Sequence, residues 1–218
     1  MNMPTITIGQ MKSAVSYFAV DMALPLMFWG GPGLGKTEGV AQSCREANGL
    51  LVDIRLGQYD SVDMRGLPDR NGDETKWLKP STFPFKGSKL FGSITDRPIF
   101  LVLDEINAAN PAVFGVAYQL LQERRIGEHV LMDNVIMVAM GNREGDRGVT
   151  NKMPKPLANR MSHFEIVCSA KEWSEYAITI GLPQEFIAFF RFREKLLDGF
   201  DPTTPDKVFC TPRAAEKA

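Results

Sequence analysis

Histidine and cysteine are scarce in this chain. Its 218 residues include two histidines, His129 and His163, and three cysteines, Cys44, Cys168 and Cys210. The cysteines are far apart and none stands in a C-x-x-C spacing, so neither a disulfide framework nor a zinc site is predicted. Two histidines distant in sequence nominate no metal centre either. No apolar run approaches the roughly 18–20 residues that span a bilayer. The start, Met1-Asn2-Met3-Pro4-Thr5, has no basic region and no apolar signal core. A membrane role is thereby set aside and cytoplasmic residence becomes the default. A basic excess is missing too: 25 Lys and Arg against 26 Asp and Glu leave a net charge of −1. That balance argues against a protein devoted to coating nucleic acid.

What remains is an ordinary globular composition, 44% hydrophobic and 23% charged. The length suits one large domain, or one domain plus part of another. Apolar, strand-like runs recur at Leu24–Trp29, Leu50–Ile54, Pro98–Leu103, Val135–Met140 and His163–Val167. Helical patterns separate several of them, which predicts an α/β fold around a mostly parallel five-stranded sheet flanked by helices.

One motif dominates. Gly30-Gly31-Pro32-Gly33-Leu34-Gly35-Lys36-Thr37 is a complete G-x-x-x-x-G-K-T phosphate loop. The strand Leu24–Trp29 precedes it, and a helix over Lys36–Asn48 follows, stopped by Gly49. Glycines let the backbone curl so that successive N–H groups face phosphate oxygens at the positive end of a helix dipole. The predicted nucleotide contacts are Gly31, Pro32, Gly33, Leu34, Gly35, Lys36, Thr37 and Glu38. Lys36 is expected at the β- and γ-phosphates of ATP, and the Thr37 hydroxyl on Mg²⁺.

Ile99-Phe100-Leu101-Val102-Leu103-Asp104-Glu105 is an apolar strand ending in two carboxylates. A buried parallel strand delivers its last residues to the edge where the phosphate loop opens. Asp104 is then the second Mg²⁺ group, and Glu105 the base that polarises the attacking water. Asn142 closes the next strand, placed to orient that water or the γ-phosphate; alone it would be a turn asparagine.

Two stretches stand apart. Gly57–Gly92 reads as an insertion with a hairpin around Asn71-Gly72, followed by an ordered loop anchored by Trp77, Phe83 and Phe85. Arg125–Asn134 reads as a small hairpin or extended loop. From Ser169 the chain turns helical, over Lys171–Ile180 and Pro183–Leu197, with Phe186, Phe189 and Phe190 as a packed face.

The order phosphate loop, Leu101-Val102-Leu103-Asp104-Glu105-Ile106-Asn107, Met140-Gly141-Asn142, Pro156-Leu157-Ala158-Asn159-Arg160 and Thr211-Pro212-Arg213 closely resembles the AAA+ ATPases. In detail it resembles their MoxR-like branch, through Asp63-Met64-Arg65-Gly66-Leu67-Pro68, Asp104–Ala109 and Leu157–Met161. The similarity covers about residues 6–213. It implies a nucleotide-binding domain over 1–168, with 57–92 inserted, and a helical lid beginning in 169–218. Asn142 then matches sensor 1, and Arg213 matches sensor 2, which couples lid to nucleotide. Arg160 matches the arginine finger that reaches a neighbouring subunit's γ-phosphate. By its residue type alone Arg160 fits a structural salt bridge equally well, and Arg143 and Arg147 compete for the finger role. The resemblance further implies ATP hydrolysis, a homo-oligomeric ring (a hexamer), and a client protein, often one with a von Willebrand factor A domain. It gives the two loop stretches a purpose as client-contacting decorations. Such lids usually continue through two more helices after sensor 2, whereas this chain ends at Ala218, so a truncated or short lid is expected. A nucleic-acid-remodelling AAA+ ATPase and a nucleotide-dependent binding module without turnover are the alternatives.

Overall fold

A computed structural model describes residues 3–21, 24–71, 73–143, 146, 151–201, 203 and 209–217. The chain begins with β1 (Thr5–Ile6), α1 (Ile8–Ala14) and a π-helical stretch (Val15–Asp21). It continues through β2 (Leu26–Trp29), α2 (Lys36–Glu46), β3 (Leu50–Arg55) and α3 (Ser61–Arg65). A hairpin of β4 (Leu67–Asn71) and β5 (Glu74–Leu78) follows, then β6 (Ile99–Asp104) and α4 (Pro111–Glu123). Next come β7 (Arg125–Ile126), β8 (His129–Val130), β9 (Val135–Gly141), α5 (Lys155–Ala158) and β10 (Ser162–Ile166). The chain closes with α6 (Ala170–Thr179), α7 (Gln184–Phe192), α8 (Glu194–Leu197) and α9 (Pro212–Lys217).

Six strands, one more than expected, form the main sheet in the order β1-β10-β2-β9-β6-β3, and every neighbouring pair is parallel. The additional strand is β1, two residues at the edge that pair with Glu165 and Ile166. Nothing in so short a stretch announces a strand; only the long-range pairing makes it one. The strand expected from Leu24 starts at Leu26.

The central strands are apolar without interruption because both sheet faces are covered. Alternate side chains point to opposite faces. Met27, Ile99, Leu101, Leu103 and Met137 therefore join α4 in one core, while Phe28, Phe100, Val102 and Val138 join α1 and α2 in the other. β3 lies at the edge, and its burial alternates instead. The C-terminal helices gather their own cluster around Trp173, Ile187, Phe190 and Leu197. The single helix expected over Pro183–Leu197 is broken at Arg193, whose φ of −118° and ψ of 57° end α7. Phe190 is buried as expected and Phe186 partly so, but Phe189 faces solvent at 49% exposure.

The two loop stretches meet. Gly72 of the expected turn lies outside the described residues, but β4 and β5 pair antiparallel on either side of it. Gly66, which leads into β4, has φ +87°, and a Cβ there would fall 1.8 Å from the Leu78 carbonyl oxygen, so only glycine fits. Beyond the hairpin, Phe83 and Phe85 are fully buried, and the backbone of Pro84 and Lys86 bonds Met132 and Val130. Trp77 is no anchor: it sits 39% exposed on the hairpin. Replacing Phe83 with alanine is therefore expected to cost about 3–5 kcal/mol in urea unfolding. Trp77→Ala should cost no more than about 1 kcal/mol. Equal losses would contradict this division.

Candidate functional site

The site grows from the end of β2. Trp29 pairs with Gly141 of β9, and Gly30 N–H donates to the Gly141 carbonyl at 3.3 Å. The chain then curls through Gly33 (φ +76°) and Gly35 (φ +89°), left-handed conformations that disfavour any side chain. At Gly33 space matters as well, because a Cβ would lie 2.5 Å from Thr211 Oγ1. The Lys36 ammonium folds back over the loop and donates to the carbonyls of Gly30 (2.8 Å) and Gly31 (2.9 Å). It is only 8% exposed. Burial pushes its pKa down to about 8, against the opposing pull of Asp104 and Asp146.

Thr37 Oγ1 donates to Asp104 Oδ2 at 3.0 Å, and Asp104 Oδ1 accepts from the Glu105 N–H at 2.8 Å. Phosphate loop and acidic strand thus meet in direct contact. Glu105 is exposed and adopts φ +54°, an uncommon conformation for a residue with a side chain. Its Oε2 lies 3.3 Å from where a Cβ on Gly57 would sit, so Gly57 leaves room beside it.

Asn142 follows β9 and is half-buried. Its backbone is held by a residue that sequence reasoning left without a role, Asn107. The Asn107 carboxamide donates to the Asn142 carbonyl (2.8 Å) and accepts from the Asn142 N–H (3.2 Å). Asn107 is 2% exposed. A lone amide among Ile106, Ala108 and Ala109, directly after the acidic pair, was the available signal.

Arg213 opens α9, and its backbone N–H donates to the Gly33 carbonyl at 3.1 Å, so Thr211-Pro212-Arg213 lies directly on the phosphate loop. Between α1, α2, α6 and α9 runs a cleft of about 750 Å³ lined by Ile8, Gly9, Gly35, Glu38, Tyr176 and Arg213. That volume is in the usual range for small-molecule sites. Across it, Glu172 of α6 accepts from Gly9 N–H (2.8 Å) and Thr7 Oγ1 (2.5 Å). Glu38 lines the cleft but pairs with Arg45 at 2.7 Å, and Leu34 is buried beneath the loop.

The structure therefore brings Gly31–Thr37, Asp104, Glu105, Asn142 and Arg213 to one sheet edge. Arg160 is elsewhere. It precedes β10, whose Ser162 is level with Leu26 at the start of β2, so it lies at the edge opposite the phosphate loop. It is exposed, and its guanidinium donates to the Tyr118 hydroxyl (3.1 Å) and covers that ring. Arg147 lies outside the described residues. Among the described residues no cluster of three or more His, Cys, Asp or Glu could hold a metal ion, and no helix is long and apolar enough to cross a membrane.

The sequence matches no protein-family model and no curated protein. Solved structures do match. A provisionally assigned ATPase from Cytophaga hutchinsonii superposes with a TM-score of 0.53 at 14% identity, over 98% of this chain and 58% of that one. A variant of RuvB from Thermotoga maritima superposes with a TM-score of 0.54 at 16% identity, over 96% and 59%. This chain thus spans less than two thirds of the structures it matches, and at such identities the likeness concerns the fold alone. That shared fold is a parallel sheet flanked by helices, with the glycine loop between β2 and α2.

Proposed function

We propose that this chain binds and hydrolyses ATP as a AAA+ ATPase of the MoxR-like branch, acting in a ring to remodel or activate a partner protein. The observation that carries the reading is the Thr37–Asp104 contact beside a buried Lys36 at the mouth of a glycine loop. Lys36 exchanges its two carbonyl partners for the β- and γ-phosphates, joined by the loop N–H groups. The Thr37 hydroxyl and Asp104 carboxylate are hard oxygen donors 3.0 Å apart and suit Mg²⁺, which when bound neutralises phosphate charge. Glu105, exposed at the end of β6, takes a proton from the attacking water. Asn142, fixed by Asn107, orients that water, and Arg213 ties the helical lid over residues 169–218 to the nucleotide. Arg160 serves the next subunit, in keeping with its place on the far edge. The β4–β5 hairpin presents Leu67, Trp77 and Leu78 to solvent, apolar surface that suits a client, for which a von Willebrand factor A domain is the candidate.

Lys36→Ala is expected to weaken ATP binding by about a hundredfold or more. Glu105→Gln should bind ATP within a factor of about three of the unaltered chain while losing about 10²–10⁴ in turnover. Fluorescence titration and phosphate release measure the two effects, and normal turnover in Glu105→Gln would overturn its role as base.

Affinity should also depend on pH. Phosphate favours the charged lysine, so the Lys36 pKa, about 8 in the free site, rises on binding. Below that value Lys36 is charged in both states and the Kd is flat. Above it binding takes up a proton, and the Kd rises toward about tenfold per pH unit. Titrations of Lys36→Arg, whose guanidinium stays charged, should lose the slope.

Arg160→Ala is expected to bind ATP yet lose about 10³ or more in turnover. Mixing it with Lys36→Ala should restore activity through interfaces that pair an intact loop with an intact finger. Failure to complement in demonstrably mixed oligomers would make Arg160 a structural residue.

A further inference from the structure

The C-terminal edge of the sheet carries a further guanidinium, Arg143, which the sequence offered only as a rival to Arg160 for the finger role. Arg143 stands two residues after the end of β9, and its loop is pinned: its N–H donates to Asp146 Oδ2 at 3.0 Å, and the Asp146 N–H donates back to its carbonyl at 3.2 Å. Its Nη2 donates to the Ile166 carbonyl oxygen at 3.3 Å. That same oxygen lies 3.2 Å from where a Cβ on Gly30 would be. Lys36 reaches Gly30 through its carbonyl, close enough to Arg143 for the two charges to act on each other. Two cations therefore lie near the first glycine of the phosphate loop.

Arg143 makes an imperfect ion pair. Its Nε lies 2.7 Å from Glu165 Oε1, but the N–H is not aimed at that oxygen and makes no hydrogen bond. Both side chains retain exposure, 36% and 28%. Among the described residues, the groups that act on it are Glu165, Asp146 and Asp198 as anions and Lys36 as a cation. A planar guanidinium beside a second cation, held by a misaligned ion pair, is suited to trade that pair for the paired oxygens of a phosphate.

We propose that Arg143 is a second phosphate-binding cation of the same subunit, resting on Glu165 until a terminal phosphate draws it across. The proposal rests on the nucleotide-site reading above and assigns Arg143 a role in cis, in contrast to Arg160. Lys36 keeps its β-phosphate contact in a diphosphate, whereas Arg143 meets the terminal phosphate alone, so Arg143 distinguishes a triphosphate from a diphosphate.

The experiment compares ADP with a non-hydrolysable ATP analogue, both with Mg²⁺, on the full chain. Arg143→Ala should weaken the analogue about tenfold or more and ADP less than about twofold. Arg143→Lys, which keeps the charge and the ion pair but not the planar fork, should show the same selectivity to a smaller degree, and it tests the proposal even if Arg143→Ala fails to fold. Glu165→Gln releases the guanidinium and should bind the analogue at least as tightly as the unaltered chain. Equal weakening of both nucleotides, no weakening of either, or an analogue loss in Glu165→Gln like that in Arg143→Ala would each make Arg143 a structural brace and overturn the proposal. Lys36→Ala separates the two levels: if it still binds both nucleotides normally, the nucleotide-site reading itself falls, and this inference with it.

Discussion

Three parallel strands that end level make the rest of this structure possible. β2 pairs with β9 from Leu26–Val138 to Trp29–Gly141, and β9 pairs with β6 up to Leu103–Ala139. That register brings the exits of the phosphate loop, the acidic pair and Asn142 to one line, because hydrogen-bonded parallel strands cannot slide without breaking the whole ladder. A slip of one residue would also exchange the two core faces. Burial of Phe28 and Phe100 on one side and of Met27 and Leu101 on the other therefore sets the site geometry as firmly as any polar contact.

The polar contacts work on top of that frame. Asp104 is shared between Thr37 and the backbone of Glu105, and Asn107 spans the gap from the end of β6 to Asn142. Buried side chains with both partners satisfied hold a loop without the cost of an unpaired group. The lysine is the exception. Its depressed pKa reflects charge kept in a buried loop with two backbone carbonyls as partners.

The C-terminal segment touches this frame on either side of the cleft. Thr211 and Arg213 rest on Gly33, and Glu172 caps the approach to α1 through Thr7 and Gly9. Any shift of α6 or α9 therefore moves groups that line the cleft. The two loop stretches pack together and join the α4 side of the core through Phe83, Phe85 and Leu131, and the Trp77 backbone N–H also reaches Glu128 of the β7–β8 turn at 3.1 Å.

Local chemistry made much of this legible beforehand. A glycine pattern that demands positive φ, a lysine and threonine at a helix start, and apolar runs ending in Asp104-Glu105 or Gly141-Asn142 all carry their meaning within a few residues. The five main strands and the helices α2, α6 and α7 follow from the same short-range periodicity, whereas α1, α3 and α5 were not anticipated. What escaped depends on distant partners. β1 exists only through β10, and α7 stops at Arg193 although its apolar pattern runs on. Trp77 and Phe189 look like anchors by residue type, yet the elements that would cover them pack elsewhere. Sequence alone determined which residues are chemically equipped to hold a phosphate. Only the tertiary structure decided that Arg143 stands beside Gly30 while Arg160 stands at the opposite edge, because which end of a strand a residue occupies, and what crosses it, is a property of the assembled sheet.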